Sequence, residues 1–161
     1  MSTLVLGLGN TIMTDDGFGV KVVTTLSSRY HFQDQVKLID GGTLGLDLLP
    51  ELEELDSLLI IDALDMRAKP GGIFRLEGEE VPRAFASKLS VHQMGLQDLL
   101  AVAEFQGHAP RNLVVWGVQP ECIEMGTELT ATVEQTVEPV VEKVLEELRG
   151  WGIQYEEKTQ E

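Results

Sequence analysis

Short apolar runs that end in glycine, proline or a charged residue recur along the chain and predict a series of buried strands. The first run stops at Gly9-Asn10, and the third stops at Asp62. Because the first and last of these runs, residues 3–8 and 113–118, do not alternate with polar residues, they are typical of strands that are covered on both faces. The predicted strands are residues 3–8, 36–40, 58–61, 73–76 and 113–118, of which 73–76 is the weakest.

The segments between these runs carry apolar residues at three- and four-residue intervals, which predicts amphipathic helices. The predicted helices are residues 17–30, 43–55, 90–105 and 130–149. Pro139 lies inside the last pattern and is expected to kink that helix. The alternation of strands and helices predicts an α/β fold. We expect a three-layer α/β/α sandwich, with a mostly parallel, twisted sheet of about five strands and helices on both faces.

The chain of 161 residues fits one α/β domain, residues 1–150, followed by a polar tail, residues 151–161, that is expected to fray. With 12 Lys and Arg against 27 Asp and Glu, the net charge is −15. Such a surface repels phosphate and anionic lipid, which argues against nucleic-acid and membrane partners. The single cysteine, Cys122, excludes an internal disulfide and a cysteine-rich zinc site. Without a signal peptide or an apolar run long enough to span a bilayer, we expect a cytoplasmic protein, and we expect it to be a monomer.

Candidate chemistry lies beyond the strand ends, where open parallel sheets bind their ligands. Asp16 follows the first strand, Asp62 ends the third, and the two face each other if the strand order begins 2-1-3. His92 lies in the first turn of a predicted helix, where the helix dipole favours the neutral imidazole that a metal ion requires. Two carboxylates and one imidazole suit a divalent ion such as nickel or zinc.

Each of these residues also has a simpler interpretation. The segment from Thr14 to Asp16 suits a helix cap and first turn, Asp62 a polar strand end, and His92 a helix terminus. A dinucleotide site is disfavoured, because Ile12 stands where the third glycine of the fingerprint is needed. A receiver-like phosphoacceptor domain stays open as an alternative. It is weakened because the acidic pair lies beyond the strand tip and no lysine follows the last strand.

Five motifs, in order along most of the chain, carry a resemblance to a known family. They are LGLGN (6–10) with TDDGFGV (14–20), DGGTLG (40–45), IDA (61–63), SVHQMGL (90–96) and GVQPE (117–121). With these motifs the chain resembles the hydrogenase maturation endopeptidases. Enzymes of that family remove the C-terminal extension of the [NiFe]-hydrogenase large-subunit precursor after nickel has been inserted.

The resemblance implies roles for individual residues of this chain. Asp16, Asp62 and His92 match the family's metal-contacting carboxylates and histidine, and would be both the metal-contacting and the catalytic residues. The nickel would come from the precursor, so that the free enzyme binds it weakly or not at all. Gly41, Gly42 and the neighbouring Thr43 match a loop beside the cleft and would bind substrate. Whether nickel is a recognition mark or a Lewis acid, and which aspartate is the general base, stays open. A nickel-binding accessory protein without proteolysis is a further alternative.

Overall fold

The computed structural model describes residues 2–42, 55–86 and 110–159. Its main sheet has four parallel strands and one antiparallel strand at an edge. The strands are β1 (Thr3–Leu8), β3 (Val36–Gly42), β4 (Ser57–Ala63), β5 (Ile73–Glu77) and β6 (Asn112–Val118). Their order is β3-β1-β4-β6-β5, with β5 antiparallel to β6. All five predicted strands are confirmed, with bounds that differ by at most two residues.

Helices cover both faces of this sheet, as predicted for a three-layer α/β/α fold. A short 3-10 helix (Thr14–Gly17) leads into α1 (Phe18–Arg29), and α2 (Glu80–Ala86), α3 (Ala131–Glu134) and α4 (Val137–Gly150) follow. Apolar side chains of α1, α3 and α4 pack together on one face, whereas α2 packs on the other. The predicted helix 90–105, and all but the last residue of the predicted helix 43–55, lie outside the described residues.

The central strand β1 explains why the apolar runs do not alternate with polar residues. Val5 points into the core formed with α1 and α4, whereas Leu4, Leu6 and Leu8 point into the core on the opposite face. Both cores exclude water, so every position of such a strand must be able to lose its hydration. β1 and β4 are accordingly buried along their whole length.

Two expectations for the C-terminal part are wrong. The pattern 130–149 forms two helices, α3 and α4, and Pro139 lies in the first turn of α4 rather than at a kink. A first-turn residue has no partner for its N–H within the helix, so proline fits there. The tail is not frayed throughout, because β7 (Tyr155–Glu157) pairs antiparallel with the unpredicted strand β2 (Tyr30–Phe32).

No helix in the described parts of the chain combines the length and the apolar character that crossing a membrane requires.

Candidate functional site

Asp16 and Asp62 lie at the same end of the main sheet. The strand order 2-1-3 is observed, because β1 lies between β3 and β4. Asp16 is in the 3-10 helix that follows β1, and Asp62 is the second-last residue of β4. Since these strands are parallel, both residues lie at their carboxyl ends, where sheets of this type bind ligands.

The two carboxylates flank a single turn of the chain, Gly9-Asn10. The N–H of Asn10 donates to Asp16 Oδ2 at 2.8 Å, and the N–H of Ala63 donates to Asp62 Oδ1 at 2.8 Å. A Cβ added to Gly9 would lie 3.5 Å from the same Asp62 oxygen. Asp16 is 5% exposed and Asp62 is fully buried. Backbone donors therefore hold both carboxylates in fixed orientations.

Close backbone approach accounts for the glycines of the first motif. Gly9 has φ +122°, and a Cβ there would lie 1.7 Å from the Asp16 carbonyl oxygen. A Cβ on Gly7 would lie 2.4 Å from the Gly19 carbonyl oxygen, and one on Gly19 would lie 2.0 Å from that of Ile61. These glycines let the 3-10 helix and α1 begin directly against the ends of β1 and β4. They are a packing requirement of this fold and need no dinucleotide to explain them.

Asp15, which is not among the predicted site residues, joins two distant parts of the chain. Its carboxylate is fully buried, and its Oδ2 accepts hydrogen bonds from the N–H groups of Glu121 (2.9 Å) and Cys122 (3.0 Å). Its Oδ1 accepts from the N–H of Thr130 at 2.8 Å, and the Thr130 hydroxyl donates to the same carboxylate. A buried carboxylate with several donors is strongly anchored. In the sequence, the only indication that Asp15 belongs to the site was its position next to Asp16.

Backbone hydrogen bonds join the same two segments, residues 9–17 and residues 119–130, which we call the loop pair. The N–H of Thr14 donates to the Gly126 carbonyl (2.9 Å), and the N–H of Gly126 donates to the Ile12 carbonyl (3.0 Å). The loop pair is therefore one hydrogen-bonded unit, and it carries one of the two candidate carboxylates.

The interpretation of Thr14–Asp16 as a helix cap is wrong, because these side chains do not make the hydrogen bonds of a cap. Asp15 and Asp16 lie in the first turn of the 3-10 helix, but no side-chain cap bond is made at the start of that helix or of α1. The Thr14 hydroxyl donates to the Cys122 carbonyl at 2.7 Å and accepts from the Glu124 N–H at 3.0 Å. The polar side chains of Thr14 and Asp15 thus bind the opposite loop instead of their own helix.

Gln119 holds the loop that follows β4. Its Oε1 accepts from the N–H groups of Met66 (2.7 Å) and Ala68 (3.1 Å), and its Nε2 donates to Asp65 Oδ1 (3.0 Å). The N–H of Arg67, followed by Gln119, lowers the pKa of Asp65 by hydrogen bonding. The position after the last parallel strand therefore has an architectural role, which further weakens the phosphoacceptor alternative.

Cys122 does not have the surroundings of a nucleophile. A hydrogen bond with Glu124 and partial burial raise the pKa of its thiol, with the nearby negative charge adding to the effect. A raised pKa disfavours the reactive thiolate. Cys122 is therefore a loop residue whose thiol is not activated.

The remaining predicted site residues are only partly described. Gly41 is buried in β3, and Gly42 is the last residue of that strand, so both belong to the strand and not to the loop that the resemblance implies. Thr43 and His92 lie outside the described residues. Within residues 2–42, 55–86 and 110–159, no three histidine, cysteine or acidic side chains form a metal-binding group. Of the three residues predicted to contact metal, the structure therefore describes Asp16 and Asp62.

Comparison with known proteins gives concordant results for sequence and structure. Residues 20–147 match the family model described as hydrogenase maturation protease. The chain is 43% identical over 155 residues to the hydrogenase 2 maturation protease of Escherichia coli (strain K12), covering 96% of this chain and 94% of that protein.

Two solved structures extend the comparison. The hydrogenase maturating endopeptidase HybD from E. coli superposes with a TM-score of 0.95 at 42% identity, covering 98% of both chains. The [NiFe] hydrogenase maturation protease HybD from Thermococcus kodakarensis superposes with a TM-score of 0.71 at 29% identity, covering 91% of this chain and 98% of that one. The chain therefore belongs to the hydrogenase maturation protease family, and it is an endopeptidase.

Proposed function

We propose that this endopeptidase removes the C-terminal extension of a nickel-loaded [NiFe]-hydrogenase large-subunit precursor. Asp16, Asp62 and His92 contact the nickel that the precursor carries. The observation that supports this most directly is the pair of carboxylates on either side of the Gly9-Asn10 turn. The similarity to the hydrogenase 2 maturation protease of E. coli supports the class of substrate.

In this proposal the nickel belongs to the substrate, and the enzyme recognises the nickel-loaded form of the precursor. Two carboxylate oxygens and one imidazole nitrogen suit a borderline divalent ion, and they leave positions for the precursor's own ligands. Asp16 and Asp62 are already oriented by backbone N–H groups, so little freedom is lost when they meet the ion. Weak binding of nickel by the free enzyme follows from so small a ligand set.

One carboxylate also supplies the proton transfers of hydrolysis. Water adds to the scissile carbonyl carbon, and the carboxylate accepts a proton from that water as the new C–O bond forms. The same proton then goes to the departing nitrogen as the C–N bond breaks. Nickel would add Lewis-acid polarisation of the carbonyl or of the water. Gly41 and Gly42, at the end of β3, and Thr43 bind the substrate backbone beside this centre, since glycine permits close approach.

Comparing nickel-loaded and nickel-free precursor as substrates tests the proposal. Purified enzyme is incubated with each form, and the released C-terminal peptide is followed by mass spectrometry. We expect release from the loaded form only. Equal rates for the two forms would remove nickel recognition from the mechanism, and no release from either would remove the proposed substrate.

Histidine variants sharpen this test, because the chain offers a matched control. His92→Gln should abolish release, whereas His31→Gln, at an exposed position on β2, should leave the rate unchanged. Equilibrium dialysis with nickel alone addresses the carrier alternative. Tight stoichiometric binding by the isolated chain, without cleavage of precursor, would favour an accessory protein over a protease.

A further inference from the structure

Exposed apolar side chains are concentrated on the loop pair. In the described parts of the chain five large apolar side chains are exposed, and three of them are on this unit. Met125 is 84% exposed, Ile12 53% and Ile123 48%. Single exposed apolar residues are common, but a group of them on one structural unit indicates an interaction surface.

The backbone beneath these side chains is held in place. Residues Met13 and Gly126 form a parallel bridge, which fixes the neighbouring positions Ile12 and Met125 relative to each other. The N–H of Asp15 donates to the Cys122 carbonyl at 3.2 Å, which anchors the chain directly before Ile123. A surface on such a backbone loses little conformational freedom when a partner binds.

The charged side chains of the loop pair itself are all acidic, and Lys21 of α1 lines a pocket together with Glu128. Glu121, Glu124 and Glu128 are exposed on the second segment of the loop pair, and residues 9–13 of the first segment carry no charge. No lysine or arginine occurs between Arg111 and Lys143. The electrostatically complementary partner surface is therefore apolar at its centre and bordered by lysine or arginine.

We infer that Ile12, Ile123 and Met125, bordered by these glutamates, form a docking surface for the folded body of the substrate protein. This inference rests on the proposed function, because it takes the precursor as the occupant. The segment that presents Ile12 also carries Asp16 four residues later. The C-terminal tail of a protein docked on the loop pair is therefore close to the carboxylates. Docking of the folded body and recognition of the nickel are then two separate binding events.

A binding measurement that needs no cleavage tests the docking surface. Nickel-free precursor is immobilised, and the dissociation constants of wild type and the double variant Ile123→Ser/Met125→Ser are determined. We expect the double variant to bind about tenfold more weakly, as for loss of central apolar contacts in an interface. The matched control is Ile73→Ser, whose side chain is 39% exposed on β5, and it should bind like wild type. Thermal melting verifies that all variants are folded.

Cleavage of nickel-loaded precursor gives a second readout. The double variant should show a raised KM with kcat unchanged, because the altered contacts are remote from the reacting bond. If the wild type binds precursor but does not cleave it, the proposed function fails. The docking surface is then still supported, provided that the double variant weakens binding.

A charge variant tests the basic border of the partner. Glu121→Gln/Glu124→Gln should slow association severalfold and flatten its dependence on salt, whereas Glu156→Gln/Glu157→Gln on β7 should do neither. Unchanged association with the first variant contradicts a basic border. Equal dissociation constants for wild type and Ile123→Ser/Met125→Ser overturn the docking surface. Loss of self-association in that variant at unchanged precursor affinity also overturns it, and assigns the surface to a second copy of the chain.

Discussion

The loop pair and the small sheet of β2 and β7 both join segments that are distant in sequence, but by different physical means. In the loop pair a buried carboxylate, Asp15, accepts hydrogen bonds from N–H groups of the opposite segment. In the small sheet three rings pack together, with Tyr155 lying 5.3 Å from Tyr30 and 5.7 Å from Phe32 between ring centroids. Hydrogen bonds are directional and fix atoms, whereas ring packing mainly removes apolar surface from water.

The difference indicates which region the chemistry depends on. Asp15 is adjacent to a candidate carboxylate, and displacement of its partners would move Asp16 relative to Asp62. The small sheet closes the C-terminal end of the chain against α1 and α4, and contributes no residue to the candidate site. Substitutions that lower the free energy of unfolding by similar amounts in the two regions should therefore have unequal effects on the rate of cleavage.

The largest effect is expected at the site itself. Asp62→Asn should lower precursor cleavage about a hundredfold or more, since it removes the negative charge of a carboxylate that we propose to be catalytic. The amide oxygen can still accept from the Ala63 N–H, so the fold should persist, as circular dichroism would verify. Asp34→Asn, at an exposed position before β3, is the control and should cleave like wild type. Wild-type cleavage by Asp62→Asn would show that the site is misassigned.

The next largest effect concerns the anchor of the loop pair. Asp15→Ala should lower the free energy of unfolding by about 3 kcal/mol, because it leaves buried N–H donors without an acceptor. Chemical denaturation measures this loss. Cleavage should fall by more than the unfolded fraction accounts for. If the folded fraction cleaves at the wild-type rate, the loop pair has no part in positioning Asp16.

Truncation of Tyr155, the central ring of the small sheet, tests whether a loss of stability outside the loop pair leaves cleavage unchanged. Tyr155→Ala should lower the free energy of unfolding by about 2 kcal/mol through loss of two ring contacts and the buried area behind them. The kcat and KM of the folded fraction should not change. Tyr155→Phe keeps the rings and removes only the hydrogen bond from Arg149, so it should lie close to wild type. Reduced kcat in Tyr155→Ala would mean that the two regions are coupled.

The smallest effect comes from an ion pair that belongs to neither region. Glu147 on α4 accepts hydrogen bonds from Arg75 and from the indole N–H of Trp116, and the Arg75 guanidinium chiefly lowers its pKa. Glu147→Gln should therefore cost about 1 kcal/mol of stability at neutral pH.

The pH dependence of that cost has a definite sign. A carboxyl with a lowered folded-state pKa stabilises the fold above its ordinary pKa of 4.5, and this stabilisation is lost as pH falls through the lower, folded-state pKa. The difference between wild type and Glu147→Gln should shrink on acidification, as denaturation at a series of pH values would measure. A difference that grows towards low pH would contradict the ion pair.

The features predicted correctly are those fixed by local pattern. The doubly buried strands reveal themselves as continuous apolar runs, and the glycine or aspartate that ends each run locates the ligand-binding end of the sheet. The position of Asp62 at that end was predictable for this reason, because it closes the apolar run of β4. The five motifs indicated the family, which cannot be inferred from composition or from the periodicity of apolar residues.

The features that were missed depend on partners remote in sequence. The acceptor role of Asp15 involves donors 106 to 115 residues away, so Thr14–Asp16 was indistinguishable from a local helix cap. β2 and β7 have three residues each, which is too short for a periodic pattern. They also pair with each other across most of the length of the chain. Pro139 indicated an interruption, but a proline pattern does not tell whether the interruption is a kink or a new helix start.

Gly9 has a consequence for any attempt to alter this enzyme by random mutagenesis. Even alanine at that position would collide with the Asp16 carbonyl and adopt an unfavourable φ, so the turn and the 3-10 helix would have to move apart. That movement would widen the gap between the two acids while the rest of the sheet stays as it is. In a library selected first for solubility and then for processing, substitutions at Gly9 should be depleted in the first selection and disappear in the second. Substitutions at Gly150, where an added Cβ meets no atom within 4 Å, should pass through both.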